Sequence, residues 1–324
     1  MKPAYSASNC YHIFAESGLS EKNYLIFNLS FQRMEQYSIN DLEKLSGIKA
    51  QTIRVWERRY NIVKPSRTDT NRRRYDDMQL RKIINISILQ RNGFKISLIA
   101  SLSDQEIDDK VSFLAKETDH SDTQVDSLII LMTKIDKNGI NELLVRSILN
   151  RGFENTMTDI AFPFLKRVGV MWQTGSAGVG SEHFVTNIIR QRIILSIDSL
   201  PSLKKEGCKR VMLFLPENEL HEIGLLFYTY IIRKLGHETI YLGQDTPLSS
   251  AANLNDRWNA DVIVTGLMSG YPDIKPDDLI QKLASLFPEQ KILVSGILAD
   301  YATETKYSNV FPVLSSTDLR SHLS

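Results

Sequence analysis

The stretch TIRVWERRYNIVKPSRTDTNRRRY, residues 52–75, decides how the first part of this 324-residue chain folds. Ile53, Trp56 and Tyr60 recur at three- and four-residue spacing, so they share one face of a predicted helix that begins near Ala50. The other faces carry the basic side chains Arg54, Arg58 and Arg59. The pattern therefore predicts a helix with an apolar inner face and a basic outer face.

The residues on either side of this helix complete a larger unit. Ser38 is placed to cap a preceding short helix, with Asp41 in the capping-box position and Gly47 in the turn that follows. After the basic helix, a loop contains Pro65 and the arginines Arg67, Arg72, Arg73 and Arg74, and Tyr75 follows it. A new helix opens at Asp76 and Asp77. Together these features predict a winged helix-turn-helix.

Charge is distributed unevenly along the chain. Residues 36–100 contain 14 Lys and Arg against 6 Asp and Glu, a net charge of +8, whereas the whole chain carries only +1. Such asymmetry is typical of a nucleic-acid-binding module joined to a part with another task. On charge alone, an ordinary solvated basic face is an equally good interpretation.

The ordered motif resolves this choice. Thr-Ile-Arg-x-Trp-Glu-Arg-Arg-Tyr, followed by Pro-x-Arg and Arg-x-Tyr, resembles the winged helix-turn-helix of the MerR family of transcription regulators over residues 36–102. Asn71 stands where that family usually has Gly, and Asn tolerates the same left-handed turn. The resemblance implies dimers on pseudo-palindromic double-stranded DNA operators. The predicted DNA-contacting residues are Arg54, Arg58, Arg59, Arg67, Arg72, Arg73 and Tyr75.

Among these residues, Arg54 and Arg58 are expected to reach the major groove, where a guanidinium can contact guanine or phosphate. Arg67, Arg72 and Arg73 are expected to hold phosphates and set the register. Tyr75 and Arg59 complete the predicted surface.

Other sequence signals limit the class of protein. No apolar run of about 18 residues and no amino-terminal signal pattern occur, so we expect a cytoplasmic protein without a membrane partner. The two cysteines, at positions 10 and 208, form no disulfide framework, zinc spacing or redox pair. Residues 1–34 are expected to be a flexible arm or a non-native extension, with Met34 as an alternative start.

After residue 34, the chain divides into four predicted segments. Residues 35–104 form the DNA-binding domain, and the polar residues 105–122 are expected to be a linker. Over residues 123–203, four blocks of helical periodicity predict a four-helix bundle. Over residues 204–324, short apolar runs alternate with helical stretches, which predicts a doubly wound, Rossmann-like α/β domain. Its ligands would lie beyond the carboxyl ends of the strands.

A possible metal ligand follows the first predicted strand of this α/β domain. In the segment Glu219-Leu220-His221-Glu222-Ile223-Gly224, a His has a carboxylate two residues before it and a Gly three residues after it. The carboxylate can orient the imidazole, and the Gly leaves room for something bulky. A surface or helix-capping His is the simpler interpretation of this pattern alone.

The spacing resembles the cobalamin-binding motif Asp/Glu-x-His-x-x-Gly, in which the His is the lower axial ligand of cobalt. Gly243 to Pro247, GQDTP, is predicted to follow the second strand, as in those domains. In the predicted bundle, Trp172 precedes Glu182-His183 by a nine-residue spacer, and this resembles the cap over cobalamin in photoreceptor regulators of the CarH/LitR type. Simple alternatives are a core Trp172 and polar first-turn residues.

This resemblance implies a role for each matched residue. His221 would coordinate cobalt, Glu219 would orient its ring, and Trp172, Glu182 and His183 would cover the adenosyl side. The further cofactor contacts that it implies are Gly224, Thr265, Leu267, Ser295 and Gly296. The implied cofactor is cobalamin, in its adenosyl or methyl form.

Three positions depart from the family pattern. Gln173 replaces a His of the light-sensing members, which calls the light-dependent chemistry into question. Thr265-Gly266-Leu267 replaces Ser-x-Leu and keeps a hydroxyl. Ser295-Gly296 replaces a Gly pair, and the added side chain is expected to weaken or prevent cobalamin binding.

The leading hypothesis is a DNA-binding repressor, not an enzyme, whose assembly as a dimer or tetramer is controlled by cobalamin. An alternative keeps DNA binding but makes the sensory half a cofactor-free docking surface for a protein antagonist. The third hypothesis, a cobalamin-dependent mutase or methyltransferase subunit, receives no support from any substrate-binding motif.

Overall fold

The computed structural model describes residues 37–68, 70–117, 120–173, 179–201, 206–268, 275–302 and 307–324. The expected arm, residues 1–34, lies outside the described residues. The first elements in chain order are α1 (Ile39–Ser46), α2 (Ala50–Tyr60), β1 (Ser66–Arg67), β2 (Arg73–Arg74), α3 (Asp77–Arg91), α4 (Ile96–Ile99) and α5 (Asp104–Glu117). They are followed by α6 (Ser121–Thr133), α7 (Lys137–Arg151), α8 (Phe153–Thr156), a π-helical turn (Met157–Ala161), α9 (Phe162–Gln173) and α10 (Val179–Asp198).

The carboxyl-terminal elements alternate between strands and helices. In chain order they are β3 (Arg210–Pro216), α11 (Ile223–Lys234), β4 (Glu238–Thr246), α12 (Leu248–Trp258), β5 (Val262–Gly266), α13 (Pro276–Leu286), β6 (Lys291–Ser295), a 3-10 turn (Ala299–Ala302), β7 (Val310–Val313) and α14 (Ser316–Leu323). The described residues form two compact units: one contains residues up to 143 together with 162–182, and the other contains 144–161 together with 183–324.

In the first unit, local signals fix the start of the fold as predicted. The Ser38 side chain accepts from the Asp41 amide while the Asp41 carboxylate accepts from the Ser38 amide, so the capping box is present. Gly47 ends α1 in the left-handed region at φ 75°. Strands β1 and β2 pair antiparallel, and Asn71 in their connecting loop has φ 61°, which confirms the expected left-handed turn.

The segment that we expected to be a linker is mostly helical. Residues 104–117 form α5, whose Ile107 and Val111 are buried although the segment is polar overall. These two side chains lie four residues apart and share one face of the helix. Ser103 and Glu106 form reciprocal hydrogen bonds at the start of the helix. The apolar spacing and the capping residues are visible in the sequence, but the charged residues around them led us to expect a linker.

In the second unit, five parallel strands form a sheet in the order β4-β3-β5-β6-β7. Strand β4 lies on one side of β3, and β5 and the later strands lie on the other. The carboxyl ends of β3 and β5 therefore mark the switch point where doubly wound folds bind ligands. Apolar residues of β3, β5 and β6 form the core together with α12 and α13. The predicted α/β domain is therefore confirmed.

The apolar runs predict strands at 210–215, 239–242, 261–265, 291–294 and 310–313, and the observed boundaries agree within one residue apart from those of β4. That strand runs to Thr246, so the GQDTP segment lies mostly inside it and does not follow it. The register shifts near Gly243, whose φ is 87°. A β-bulge of this kind places an extra residue in one strand while the pairing of the two strands continues.

The helical blocks that we expected at 125–135, 140–149, 157–172 and 184–197 lie within helices or the π-helical turn, except that Lys134 and Ile135 form a turn after the end of α6. Among the described residues, no helix has both the length and the apolar character needed to cross a bilayer.

Candidate functional site

A basic surface lies on α2 and the β1–β2 ribbon of the first unit. Ile53 and Trp56 of α2 are buried, whereas Arg54, Arg58 and Arg59 are exposed, as the periodicity predicted. In the ribbon, Arg67 and Arg72 are exposed. The basic residues of helix and ribbon therefore belong to one module and are open to solvent.

Hydrogen bonds hold the tip of the ribbon in shape. The Thr68 amide donates to the Arg72 carbonyl at 2.9 Å, and the Arg72 amide donates to the Thr68 hydroxyl at 3.1 Å. Arg67 donates to the Asn71 side-chain carbonyl at 2.5 Å. The position of Arg72 is thus fixed by the backbone, while its guanidinium remains at the surface.

Glu57 of α2 joins the helix to the ribbon, a role that the sequence did not reveal. One oxygen accepts from Arg73 Nε at 3.1 Å, and the other accepts from the Tyr75 hydroxyl. Burial, reinforced by the bond to Glu57, raises the pKa of Tyr75 far above its usual value. Tyr75 is only 1% exposed and pairs through its backbone with Tyr37. Two predicted DNA contacts, Arg73 and Tyr75, are thus engaged inside the module.

In the second unit, His221 stands in the loop after β3, at the switch point of the sheet. Its Nδ1 lies 2.5 Å from Oε1 of Glu219, and that oxygen also accepts from the His221 amide at 3.2 Å. The imidazole side chain is 60% exposed, whereas the Glu219 side chain is fully buried. A buried carboxylate therefore fixes the orientation of a ring that reaches the surface.

Glu219 also connects the loops around His221. Its Oε2 accepts from the Met268 amide at 2.9 Å, in the segment after β5. Its backbone carbonyl accepts from the Asp245 amide at 3.1 Å, and Asp245 accepts from the Asn218 amide at 2.8 Å. The segments at the carboxyl ends of β3, β4 and β5 are thereby tied together. This edge is held in place before any ligand arrives.

The ends of β5 and β6 carry the other predicted cofactor contacts. Leu267 and Thr265 are fully buried, and the Thr265 hydroxyl has no hydrogen-bond partner among the described residues. The Ser295 hydroxyl donates to the Thr265 carbonyl at 3.0 Å, so it is directed at the neighbouring strand. Gly296 has φ 102°, and a Cβ there would lie 2.4 Å from the Leu267 carbonyl oxygen. Only glycine suits that position.

Gly224 lies in the first turn of α11, and a Cβ added there would meet nothing within 4 Å. Glu222, one residue after His221, is buried and accepts from Arg190 of α10 at 2.6 Å and from the Tyr241 hydroxyl at 2.5 Å. Burial raises the pKa of Tyr241 well above its usual value. Sequence reasoning missed this cluster, although Glu222 lies inside the predicted motif.

The predicted upper-side residues belong to two helices. Trp172 is in the last turn of α9, in the first unit. Glu182 and His183 are in the first turns of α10, where the chain passes from the first unit to the second. His183 is exposed.

Two family models match the chain. Residues 37–106 match the MerR HTH family regulatory protein, and residues 124–195 match the B12 binding domain. The first match covers α1 to the start of α5, and the second covers α6 to most of α10.

Three curated proteins are similar in sequence. The HTH-type transcriptional repressor CarH of Myxococcus xanthus is 28% identical over 65% of this chain and 72% of its own length. The repressor CarA of the same organism is 24% identical over 69% of this chain and 74% of its own. The HTH-type transcriptional regulator MlrA of Escherichia coli (strain K12) is 34% identical, over only 22% of this chain and 30% of its own.

Proposed function

We propose that this chain is a MerR-type DNA-binding regulator of the CarH type with a B12-binding sensory domain, and that cobalamin sets its assembly and thereby its operator affinity. The single observation that carries the cofactor half of this proposal is the exposed imidazole of His221, oriented by the buried carboxylate of Glu219. The proposed outcome is repression, as in the names of the two similar proteins. The chain would act in the cytoplasm, where its operator lies.

On the DNA side, we assign groove contacts to Arg54 and Arg58 and phosphate contacts to Arg59, Arg67 and Arg72. These five side chains are exposed on α2 and on the β1–β2 ribbon, which we propose acts as the wing. Arg73 and Tyr75 instead hold the wing against α2 through Glu57. The module would read its operator as a dimer.

The residues at the sheet edge fit cobalamin. A single exposed imidazole supplies one ligand, which suits a metal whose other ligands come from its own macrocycle. His221 would provide that ligand through Nε2, because Glu219 engages Nδ1. Among the described residues the buried Thr265 hydroxyl has no hydrogen-bond partner, so it is a group that a bound cofactor would satisfy. When bound, the cofactor would supply a cobalt ion that carries an adenosyl or methyl group, and the sensory helices would recognise that group.

Ser295 was expected to weaken or prevent cobalamin binding, and we propose instead that it leaves room for the cofactor. Because its hydroxyl is bonded to the Thr265 carbonyl, its side chain occupies the space between β5 and β6. Leu267, Gly224 and Gly296 would line the approach, and the open space beside Gly224 would admit the macrocycle.

As the resemblance implies, we also propose that Trp172, Glu182 and His183 would cover the adenosyl side of the cofactor, with α6 to α10 packed as the predicted bundle. Cofactor that contacts both the sheet edge and these helices would favour one arrangement of the chain over another. Only such differential affinity can shift a dimer–tetramer equilibrium and operator binding.

The test begins with full-length protein and adenosylcobalamin in the dark. Excess cofactor is removed by gel filtration, and the visible spectrum, the particle size and operator affinity are then measured. We expect wild-type protein to retain corrin absorbance, H221A to lose it, and the control H120A, which changes another exposed His, to keep it. Equal retention by H221A would refute the assignment.

Further outcomes separate the alternatives. No retention by any variant would favour a cofactor-free sensory half that docks a protein antagonist. Retention with no change of size after green light would mean that cobalamin is bound without photosensing, which Gln173 leads us to expect. Substrate turnover by the cobalamin-loaded protein would favour the third hypothesis, an enzyme subunit.

A further inference from the structure

A cluster of charged side chains lies inside the first unit, away from both proposed sites. Asp126 of α6 is almost completely buried, and its two oxygens accept from two different arginines. Arg167 of α9 donates from Nη1 at 2.5 Å, and Arg91 at the end of α3 donates from Nη2. One buried carboxylate therefore joins three helices.

Arg167 makes a second contact that leaves the sensory helices. Its Nη2 donates to the backbone carbonyl of Leu45, in the last turn of α1. Carbonyls in the last turn of a helix lack partners within the helix, so a guanidinium is well suited to bind one. Arg91 likewise donates from Nε to the Ser87 carbonyl, and the Ser87 hydroxyl donates to the Ser46 carbonyl. The end of α1 is thus held from two sides.

These contacts cross the boundary between the two matched segments of sequence. Helices α1 and α3 belong to the MerR-type part, and α6 and α9 belong to the B12-binding part. Arg167 lies five residues before Trp172 on the same helix, a distance of about 7.5 Å along the axis at 1.5 Å per residue. A movement of α9 at its Trp172 end would therefore also move the guanidinium that holds Leu45.

The cluster is not fully satisfied. Within the part of the chain that the structure describes, Arg167 Nε is buried and has no hydrogen-bond partner. Burial also lowers the pKa of Arg167 to about 10. The Arg167 guanidinium is therefore held by its bonds to Asp126 and to the Leu45 carbonyl, and its third nitrogen has no partner among the described residues.

We propose that Arg167 is the positioning residue that couples the sensory helix α9 to the DNA-binding module, through the Leu45 carbonyl and Asp126. The inference rests on the proposed function, because it states how cofactor binding reaches the operator surface. The rigid, planar guanidinium of Arg167 makes two directional contacts at once, and a lysine ammonium on a flexible side chain would not reproduce them.

The test is a thermodynamic cycle on the full chain. Operator affinity is measured by fluorescence anisotropy, with and without adenosylcobalamin in the dark, on a labelled duplex that the wild-type protein selects from a random library. The ratio of the two dissociation constants reports coupling, which a merely structural residue would not change. R167K keeps the charge, and K166A changes the exposed neighbour on the same helix as a matched control.

We expect the ratio for R167K to fall at least tenfold towards one, while corrin absorbance is retained and K166A behaves as wild type. An unchanged ratio in R167K would overturn the inference and leave the proposed function intact. A ratio of one in the wild type would refute the proposed function. In that case operator affinity without cofactor tests the contact of Arg167 with the DNA-binding module. R167K should change this affinity at least fivefold, and an unchanged affinity would overturn the inference.

If R167K does not fold, R91K provides the second variant, since Arg91 binds the other oxygen of Asp126 and is partly exposed. A reduced ratio in R91K supports the inference. A wild-type ratio in a folded R91K protein, together with unaltered amide exchange near Leu45 on cofactor binding, would overturn it.

Discussion

At the scale of single residues, the Thr265 hydroxyl gives a prediction in which stability and binding change differently. It is buried and has no partner among the described residues, so T265V removes a polar atom without breaking a hydrogen bond in the protein. We expect the melting temperature of cofactor-free protein to stay the same or rise. Cobalamin affinity should fall roughly tenfold, as expected for one lost hydrogen bond of about 1.4 kcal/mol.

The matched control is T229V, because the buried Thr229 hydroxyl already donates to the Leu225 carbonyl at 2.9 Å. This variant should lose about 1 kcal/mol of stability and keep its cobalamin affinity. Thermal unfolding and equilibrium absorbance titration measure the two quantities. Unchanged affinity in T265V would show that the hydroxyl does not face the cofactor.

The residues that sequence reasoning found and missed differ in how far apart they lie in the chain. The pairing of Glu219 with His221 spans two positions, so the spacing together with the family resemblance predicted it. Glu57 meets Arg73 and Tyr75 across 16 and 18 positions, and Arg167 reaches Leu45 across 122. Pairs of the second kind depend on tertiary packing, which a single sequence does not encode as a period or motif.

At the scale of elements, the attachment of the β1–β2 ribbon, which we propose acts as the wing, to α2 through Glu57 gives a prediction opposite to simple electrostatics. Removing a negative charge beside DNA should strengthen binding to any phosphate backbone. If Glu57 positions the wing, E57Q should instead weaken operator binding by about tenfold, since one charged hydrogen bond is worth roughly 1.5 kcal/mol, while binding to random DNA is unchanged or tighter. Anisotropy titrations on both duplexes measure this difference.

Y75F gives a second measure of the same attachment. It removes only the phenolic hydroxyl that Glu57 accepts and leaves the charge of the module unaltered. Operator affinity should fall here too, with little change on random DNA. Tighter operator binding by E57Q, together with wild-type binding by Y75F, would show that the attachment does not position the wing.

A pH-dependent contribution is expected from α14. Burial lowers the pKa of His322 below its ordinary 6.5, Lys291 and Lys209 lower it further, and Asp318 and a backbone hydrogen bond with Pro312 oppose them. As the pH falls, His322 therefore binds a proton at a higher pH in the unfolded chain than in the folded one. His322 contributes stability above about pH 6.5 that is lost as the pH falls through its lowered folded value.

The prediction is that unfolding free energy falls more steeply between about pH 7.5 and about pH 5 in the wild type than in H322Q. Urea titrations at several pH values measure the two slopes. Identical slopes would mean that His322 remains accessible to protons in the fold, despite its contact with the Phe311 ring at 5.3 Å between centroids.

Among the elements, those with a strong local signal were predictable. The strands of the sheet were found because they are short apolar runs between turns, and α1 was found from its capping box. Helix α5 was missed because charged residues surround Ile107 and Val111, the two residues that are known to be buried on its inner face. The π-helical turn at Met157–Ala161 has no sequence signature of this kind, so periodicity alone treated it as ordinary helix.

At the scale of the whole molecule, a nearly neutral chain contains a module of charge +8 over residues 36–100. Affinity for DNA should therefore follow the module and not the net charge of +1. The logarithm of the binding constant should fall linearly with the logarithm of salt concentration, with a slope of about −0.9 for each phosphate neutralised. R72A removes one exposed guanidinium at the ribbon tip and should make the slope shallower by about 1 per chain.

K137A is the matched control for R72A, since it removes an exposed positive charge from α7, outside the module, and changes the net charge by the same amount. Its slope should equal that of the wild type. If R72A and K137A shift the slope equally, the response follows total charge and the assigned phosphate contact is wrong. If only R72A shifts it, the uneven charge of the chain is used for DNA binding, because two variants of identical net charge then differ in the number of counterions they release.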